Sequence, residues 1–528
     1  QHPVRFEGTL TMPDDKVLSL VRAFDLPTYV AAFGNETVAL RKALQALFHF
    51  TDHEALDLGG MRISVEAPID VQAAVGDILS FSNRRVLRNG QLEAVPGPAW
   101  DTVTVSSTAS YDPASPTRLS NVANVANVPV GARVIGAGVG REIYVRDRNV
   151  SAGTLTLSKP LHGAAGTSTF QFERFQYLLD FSGFEWLSRF VVADVEFKCN
   201  GAASGLMLPR DGLVTHVRDC FFTEPRDRAI TSIGSGCQGM LVDRCQFLSN
   251  EQSLNAQDRT SVAINTNAND VKIRDNRFVR FRHAMVLGGS GNIIQGNHAF
   301  QGDNQPQGTR LASIVLGQIN PKTVINGNYI DNSWIEWTNE FDATPDFSSG
   351  FSFGNLSIVG NMFTANDVGN WFRWIVIRPY GQGQFINGLS ISDNVFKSLN
   401  GAVDRFEGVD ASIAPLDMSR ARNIRIEGNA FNNVSAPARN PVTLDVAENT
   451  PAATWAVDLA DFLPFGGIVR GAQSLVAIGP ITDTAGATVS DFPHLKTGQG
   501  ANGTELHVVW PRPVQGKIQV TARVDNPN

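Results

Sequence analysis

Through the middle of this chain the apolar residues keep a regular beat. One short unit recurs nine times: an aliphatic residue, two variable residues, a position that becomes Asn, a spacer, and a large apolar residue. The first four copies are Val192–Phe197, Val217–Phe222, Val242–Phe247 and Ile273–Phe278. Ile294–Ala299, Ile325–Ile330, Ile358–Phe363, Ile391–Phe396 and Ile426–Phe431 follow. The fourth position falls at 195, 220, 245, 276, 297, 328, 361, 394 and 429, a period of 21–35 residues. Such a period marks a solenoid, whose coils bury their apolar faces by stacking on one another.

The unit is strand-like. Its apolar residues alternate or form short runs, bounded by Gly, Asn and Asp. Further short runs, Ala263–Thr266, Met285–Gly288 and Ser313–Leu316, add strands to each turn. The pattern predicts an all-β fold, a right-handed parallel β-helix. Asn276, Asn297, Asn328, Asn361, Asn394 and Asn429 should stack as a ladder at a tight bend, where Asn tolerates left-handed backbone and bonds its neighbours. Phe197, Phe222, Phe247, Phe278, Phe363, Phe396 and Phe431 should form an internal stack. Interior columns of this kind are structural by default, so the Asn row is not read as a ligand site.

The beat divides the chain. Residues 1–100 read as capping coils around a helix over 36–50, with Asn35 as its cap and Leu40, Ala43, Leu44 and Leu47 on one face. Residues 101–172 lose the period and read as a β insertion on the flank. The regular stack covers 173–450. Residues 451–528 read as a β domain that closes the stack or joins three chains. Gln1–Leu10 reads as a strand already inside a coil, and an N-terminal part that would attach to a particle is expected before it.

Composition narrows the partners. At 528 residues the chain exceeds the size of one compact core, but a solenoid grows along its axis instead. A net charge of −7 without a basic run argues against nucleic acid. No run of eighteen apolar residues is present, so no membrane span is expected. The four Cys lie at 199, 220, 237 and 245. Cys220 and Cys245 share the ladder position and could pair, although buried thiols fit a small hydrophobe better. Metal-ligand spacings are absent, and neither a metal nor a cofactor is expected.

The Ile-x-Gly/Asp-Asn-x-Phe coils, with the capping unit from Glu36 to Val71, resemble the glycosyl hydrolase family 28-related, pectate-lyase-superfamily β-helix proteins, including those of phage tailspikes and head spikes. The resemblance covers most of residues 36–447. It implies a surface or capsular polysaccharide as ligand, a homotrimer, and a place outside the cell or on a virion. True family 28 enzymes carry Asn-Thr-Asp, Asp-Asp, Gly-His-Gly and Arg-Ile-Lys motifs. This chain has Asn-Thr-Asn at 265–267, an Asp14–Asp15 pair far from the stack, and neither of the others. No catalytic residue transfers.

Chemistry is expected where long coils throw out loops. Four of the eight Trp fall between 334 and 374, among Glu336, Glu340, Asp342, Arg373 and Arg378. Sugar rings stack on indole, and a carboxylate pair is the minimum for glycoside hydrolysis. If Ile335 points inward, Trp334 and Glu336 face out together. Glu336, Glu340 and Asp342 are therefore the candidate acid/base groups. Trp334, Trp337, Trp371, Arg373 and Arg378 are the candidate sugar contacts, although residues placed like Trp337 and Trp374 are more often core or subunit-interface residues than sugar platforms. A second column, Asp227–Arg228, Asp258–Arg259, Arg282–His283 and Arg310, reads as an ion-pair ladder or as a groove for a polyanion, which adds Arg310 and His283 to the candidates. Three functions stay open: a homotrimeric spike of a phage or phage-derived particle that binds a host surface polysaccharide, with or without cleaving it; a secreted monomeric hydrolase or lyase; and a non-catalytic glycan-binding stalk.

Overall fold

The computed structural model describes residues 11, 13, 23–51 and 53–525. The strand expected over Gln1–Leu10 and the Asp14–Asp15 pair lie outside the described residues. The rest forms a right-handed parallel β-helix. A ten-stranded parallel sheet runs from Ile69–Asp70 to Glu407–Val409, one strand per coil. Two further ladders of short parallel strands belong to a 21-stranded sheet and carry the two halves of the repeated unit. In one, Ile273 pairs with Ile294, then Ile325, Ile358, Ile391 and Ile426.

Between the halves the chain bends, and the bend explains the motif. Its third residue has positive φ in every unit, from Asp194 (55°), Asp219 and Arg244 through Asp275, Gly296, Gly327, Gly360 and Asp393 to Gly428 (69°). Gly and Asp recur there because left-handed backbone costs them least. The sequence argument had assigned that conformation to Asn; the Asn has a different task. Asn328 Nδ2 and its backbone N both donate to Asn361 Oδ1 at 2.9 Å, and Nδ2 also donates to Ile294 O at 3.0 Å. The same bonds repeat along the column from Asn276 to Asn429. Beside it Phe197, Phe222, Phe247 and Phe278 stack at 4.6–5.0 Å with nearly parallel rings. Ala299 and Ile330 interrupt the file, and it resumes with Phe363, Phe396 and Phe431. The four cysteines are buried free thiols, so Cys220 and Cys245 do not pair covalently.

The N-terminal end is closed by the helix Glu36–His49, whose cap Asn35 accepts from Val38 N at 2.9 Å and whose apolar stripe is fully buried. A helix over Leu26–Phe33 precedes it, which the periodicity does not reveal. At the other end the long strands Val442–Asp458 and Glu505–Arg523 pair antiparallel within a five-stranded sheet. Among the described residues no helix is long and apolar enough to cross a membrane.

Strands between Val103 and Arg174 form a six-stranded antiparallel sheet. Its apolar face (Tyr111, Leu119, Phe170, Phe172) packs on Val262, Val286, Ala312 and Val315 of the ten-stranded sheet. Strands Val262–Thr266, His283–Leu287 and Ala312–Leu316 are therefore buried at every position. Two-sided burial accounts for their unbroken apolar runs.

Candidate functional site

The predicted site residues lie on or beside the strands of the ten-stranded sheet. Ile335 and Trp337 point inward and Glu336 outward, as alternation demands. Glu336 does not meet solvent, however. It lies under the edge of the insertion, where Arg141 Nη2 approaches Glu336 Oε1 at 2.5 Å and Glu340 Oε1 at 2.8 Å. Arg141 also donates from Nε and from its backbone N to Glu340 at 2.9–3.1 Å. Glu340 is 1% exposed. Burial pushes the Glu336 carboxyl up, but Arg141 overcomes this and holds it below the ordinary range. Two buried glutamates bound to one guanidinium are not an open acid/base pair. They clamp the insertion to the helix. Asp342 is half-buried in the next loop, accepts from Thr344 N at 3.1 Å, and is raised by burial.

Other candidates also prove structural. Trp337 is 1% exposed, donates to Gln318 O at 2.7 Å and meets the Phe353 ring edge-on at 5.1 Å, so it is core and not a sugar platform. Trp374 is core as well. Trp334 is half-buried, its ring 6.1 Å from Phe372. The Asp–Arg column does not form a ladder. Arg228 makes a two-pronged pair with Glu142 of the insertion, 2.7 Å at each end. Arg259 donates to backbone carbonyls of Leu254 and Gly302. Arg310 is buried and paired with Asp303 at 2.7 Å, so it lines no groove. His283 is buried against Ala312 O at 2.6 Å.

Trp371, Arg373 and Arg378 are different. Beyond the insertion the strand Ile375–Arg378 regains alternation, with its outward residues half-exposed. Trp371 is 50% exposed, and a Cβ on Gly369 would meet its Nε1 at 2.3 Å, so only Gly lets the indole lie there. A depression of about 460 Å³ opens beside it, lined by Trp371, Arg373, Val376, Arg405, Gly408 and Asp410. Arg373 Nη2 lies 3.7 Å from Asp404, and Arg378 Nε 3.2 Å from Asp410, too poorly aligned for a hydrogen bond. Arg405 pairs with buried Glu407 at 2.8 Å, and Glu407 accepts from Phe465 N, tying the C-terminal segment to this coil. The surface thus offers an apolar platform, guanidinium donors and carboxylate acceptors within one depression.

Sequence reasoning missed Arg405, Asp404 and Asp410. Coil register would have found two of them: one strand on, Arg373 falls on Arg405 and Arg378 on Asp410, continuing Ile375↔Glu407 and Ile377↔Val409. Nothing periodic points to Arg141 or Glu142, which come from the insertion.

No protein-family model matches the chain, and no curated protein does. Among solved structures it is similar to a tailspike of Pseudomonas phage LKA1, at 11% identity over 93% of both chains with a TM-score of 0.38. It is also similar to a tailspike variant of E. coli bacteriophage HK620 in complex with a pentasaccharide, at 12% identity, 94% and 88% coverage and a TM-score of 0.37. A third is the tailspike of Acinetobacter baumannii bacteriophage AP22 in complex with a capsular saccharide, at 10% identity, 95% and 96% coverage and a TM-score of 0.25.

Proposed function

We propose that this chain is a spike subunit of a phage-type particle that binds a surface polysaccharide along the uncovered outward face of its β-helix. The observation that carries this is the half-exposed Trp371 set beside Arg373, Arg405 and Asp410 in the turns that flank two strands of the ten-stranded sheet. A planar indole stacks on the apolar face of a sugar ring, while fixed guanidinium and carboxylate groups meet its hydroxyl and acidic substituents. Groups held close to the ends of a rigid sheet's strands lose little freedom on binding. The role proposed is recognition: the Glu336–Glu340 pair is spent on Arg141, so no bond-breaking step is assigned to it.

Three copies suit the stack. Ile293 aligns with Val324 on one ladder of the 21-stranded sheet and Tyr329 with Met362 on the other, and all four are exposed. Apolar pairs on two adjoining ladders fit a neighbouring copy of the same chain. Light scattering in solution is expected to give three times the chain mass.

The test of recognition is binding to a panel of capsular and surface polysaccharides, wild type against Trp371→Ala. Loss of the central aromatic should weaken the best ligand by about 2 kcal/mol, roughly 30-fold in Kd. Equal binding by both proteins would sink this assignment.

A further inference from the structure

A second cavity, of about 320 Å³, lies in the seam between the insertion and the helix. That is the lower end of the range for small-molecule sites, about 300–1,000 Å³. Arg133, Arg141, Arg228, Arg282, His283 and Glu142 line it, and the exposed Ile135 stands at its edge.

Three of the four guanidinium groups are already matched. Arg228 is held by Glu142, Arg141 by Glu336 and Glu340, and Arg133 by Glu173 at 2.6 Å. Arg282 is not. Its one bond runs from Nη1 to Arg259 O at 2.9 Å, and among the described residues no carboxylate lies within ion-pair distance. Its charge is opposed by burial and by Arg141, Arg228 and Arg133; Glu251 offsets them from a position where Thr260 and Ser261 already occupy its oxygens. The guanidinium therefore sits in a positive field with donors unspent.

His283 supplies the second observation. Ala312 O can only accept, so Nδ1 carries the proton in the 2.6 Å bond between them. Burial, then Arg141, lowers the imidazole to about 3, so the ring is neutral at ordinary pH. Nε2 is then a bare acceptor, buried and without a partner. A lone pair left in that condition calls for a donor.

The geometry points to a ligand that joins an anionic group to a hydroxyl: we propose that this seam binds one acidic sugar residue, its carboxylate on Arg282 and an adjacent hydroxyl donating to His283 Nε2. The site deepens the polysaccharide reading, and rests on it for its biological sense, but uses none of the residues of the Trp371 depression. It would give the spike a preference for uronate-containing chains.

Calorimetric titration of the full chain with sodium glucuronate, glucose and sodium sulfate at fixed ionic strength tests it. Glucuronate should bind, and glucose at least 10-fold more weakly. Arg282→Gln should abolish glucuronate binding, Arg282→Lys should retain part of it, and His283→Phe should weaken glucuronate at least 5-fold without changing sulfate. If Arg282→Gln does not fold, the Lys variant together with glucuronate soaked into crystals decides the location. Sulfate binding as tightly as glucuronate overturns the hydroxyl contact, and glucuronate binding that ignores Arg282 overturns the site. The two proposals fail separately. Polymer binding lost in Trp371→Ala but kept in both Arg282 variants sinks only the seam; polymer binding indifferent to Trp371, with glucuronate still dependent on Arg282, sinks only the depression.

Discussion

The outward face of the ten-stranded sheet is one surface with two fates. From Val262 to Trp337 it lies under the insertion, its strands buried on both sides and its charges, Arg282 apart, consumed in pairs or on backbone. At Ile375–Arg378 the insertion no longer covers it, alternation returns, and Trp371 and Arg373 just before the strand stand open. The same backbone ladder runs through both halves. What changes is the company each side chain keeps, and with it whether a carboxylate is a structural clamp or a ligand acceptor.

The widest contrast is between two tryptophans. Trp337→Ala should cost about 3–5 kcal/mol in urea unfolding, whereas Trp371→Ala should stay within about 0.5 kcal/mol. Similar losses for both would erase the distinction between the halves. Arg141→Ala leaves Glu336 and Glu340 buried without their cation and should likewise cost about 3–5 kcal/mol, with faster hydrogen exchange confined to residues 103–174. Exchange that rises equally in the open half would show that the clamp is not local.

Acid should act on the covered half first. Burial raises the Glu142 carboxyl, but Arg228 outweighs it and holds the group at about 2, against an ordinary 4.5. The unfolded chain therefore binds the proton first. The stabilisation is complete above about pH 4.5 and lost as pH falls toward 2, on the order of 3 kcal/mol. Glu142→Gln should flatten that part of the pH–stability curve. The smallest effect belongs to the open half: raising salt from 0.05 to 0.5 M (roughly 14 Å to 4 Å of screening) should weaken an acidic polysaccharide by about 1 kcal/mol while leaving a neutral one unchanged.

How far the sequence reached follows the same division. The nine-fold unit is a local pattern repeated at one register, so the ladder of Asn276 to Asn429 and the Phe file are readable without coordinates. Trp371, Arg373 and Arg378 were reachable because they lie on such a coil. Glu336 and Glu340 were read as free because their partner, Arg141, lies 195 and 199 residues earlier in a segment with no period. Arg228 was given Asp227 for the same reason, when its partner is Glu142. Trp337 and Trp371 are the same residue type; Trp337 points inward from a strand, whereas Trp371 lies in a turn ahead of the next one and stays half-exposed.

The asparagine column has one more consequence. Each side-chain amide from Asn276 to Asn394 donates forward to the next Asn and back to the coil before, so every rung presents the same socket to the turn that follows. A spine of interchangeable sockets can be lengthened, shortened or spliced by whole turns without renegotiating its interior. The insertion and loops it carries can therefore be exchanged as cargo while the spine stays the same.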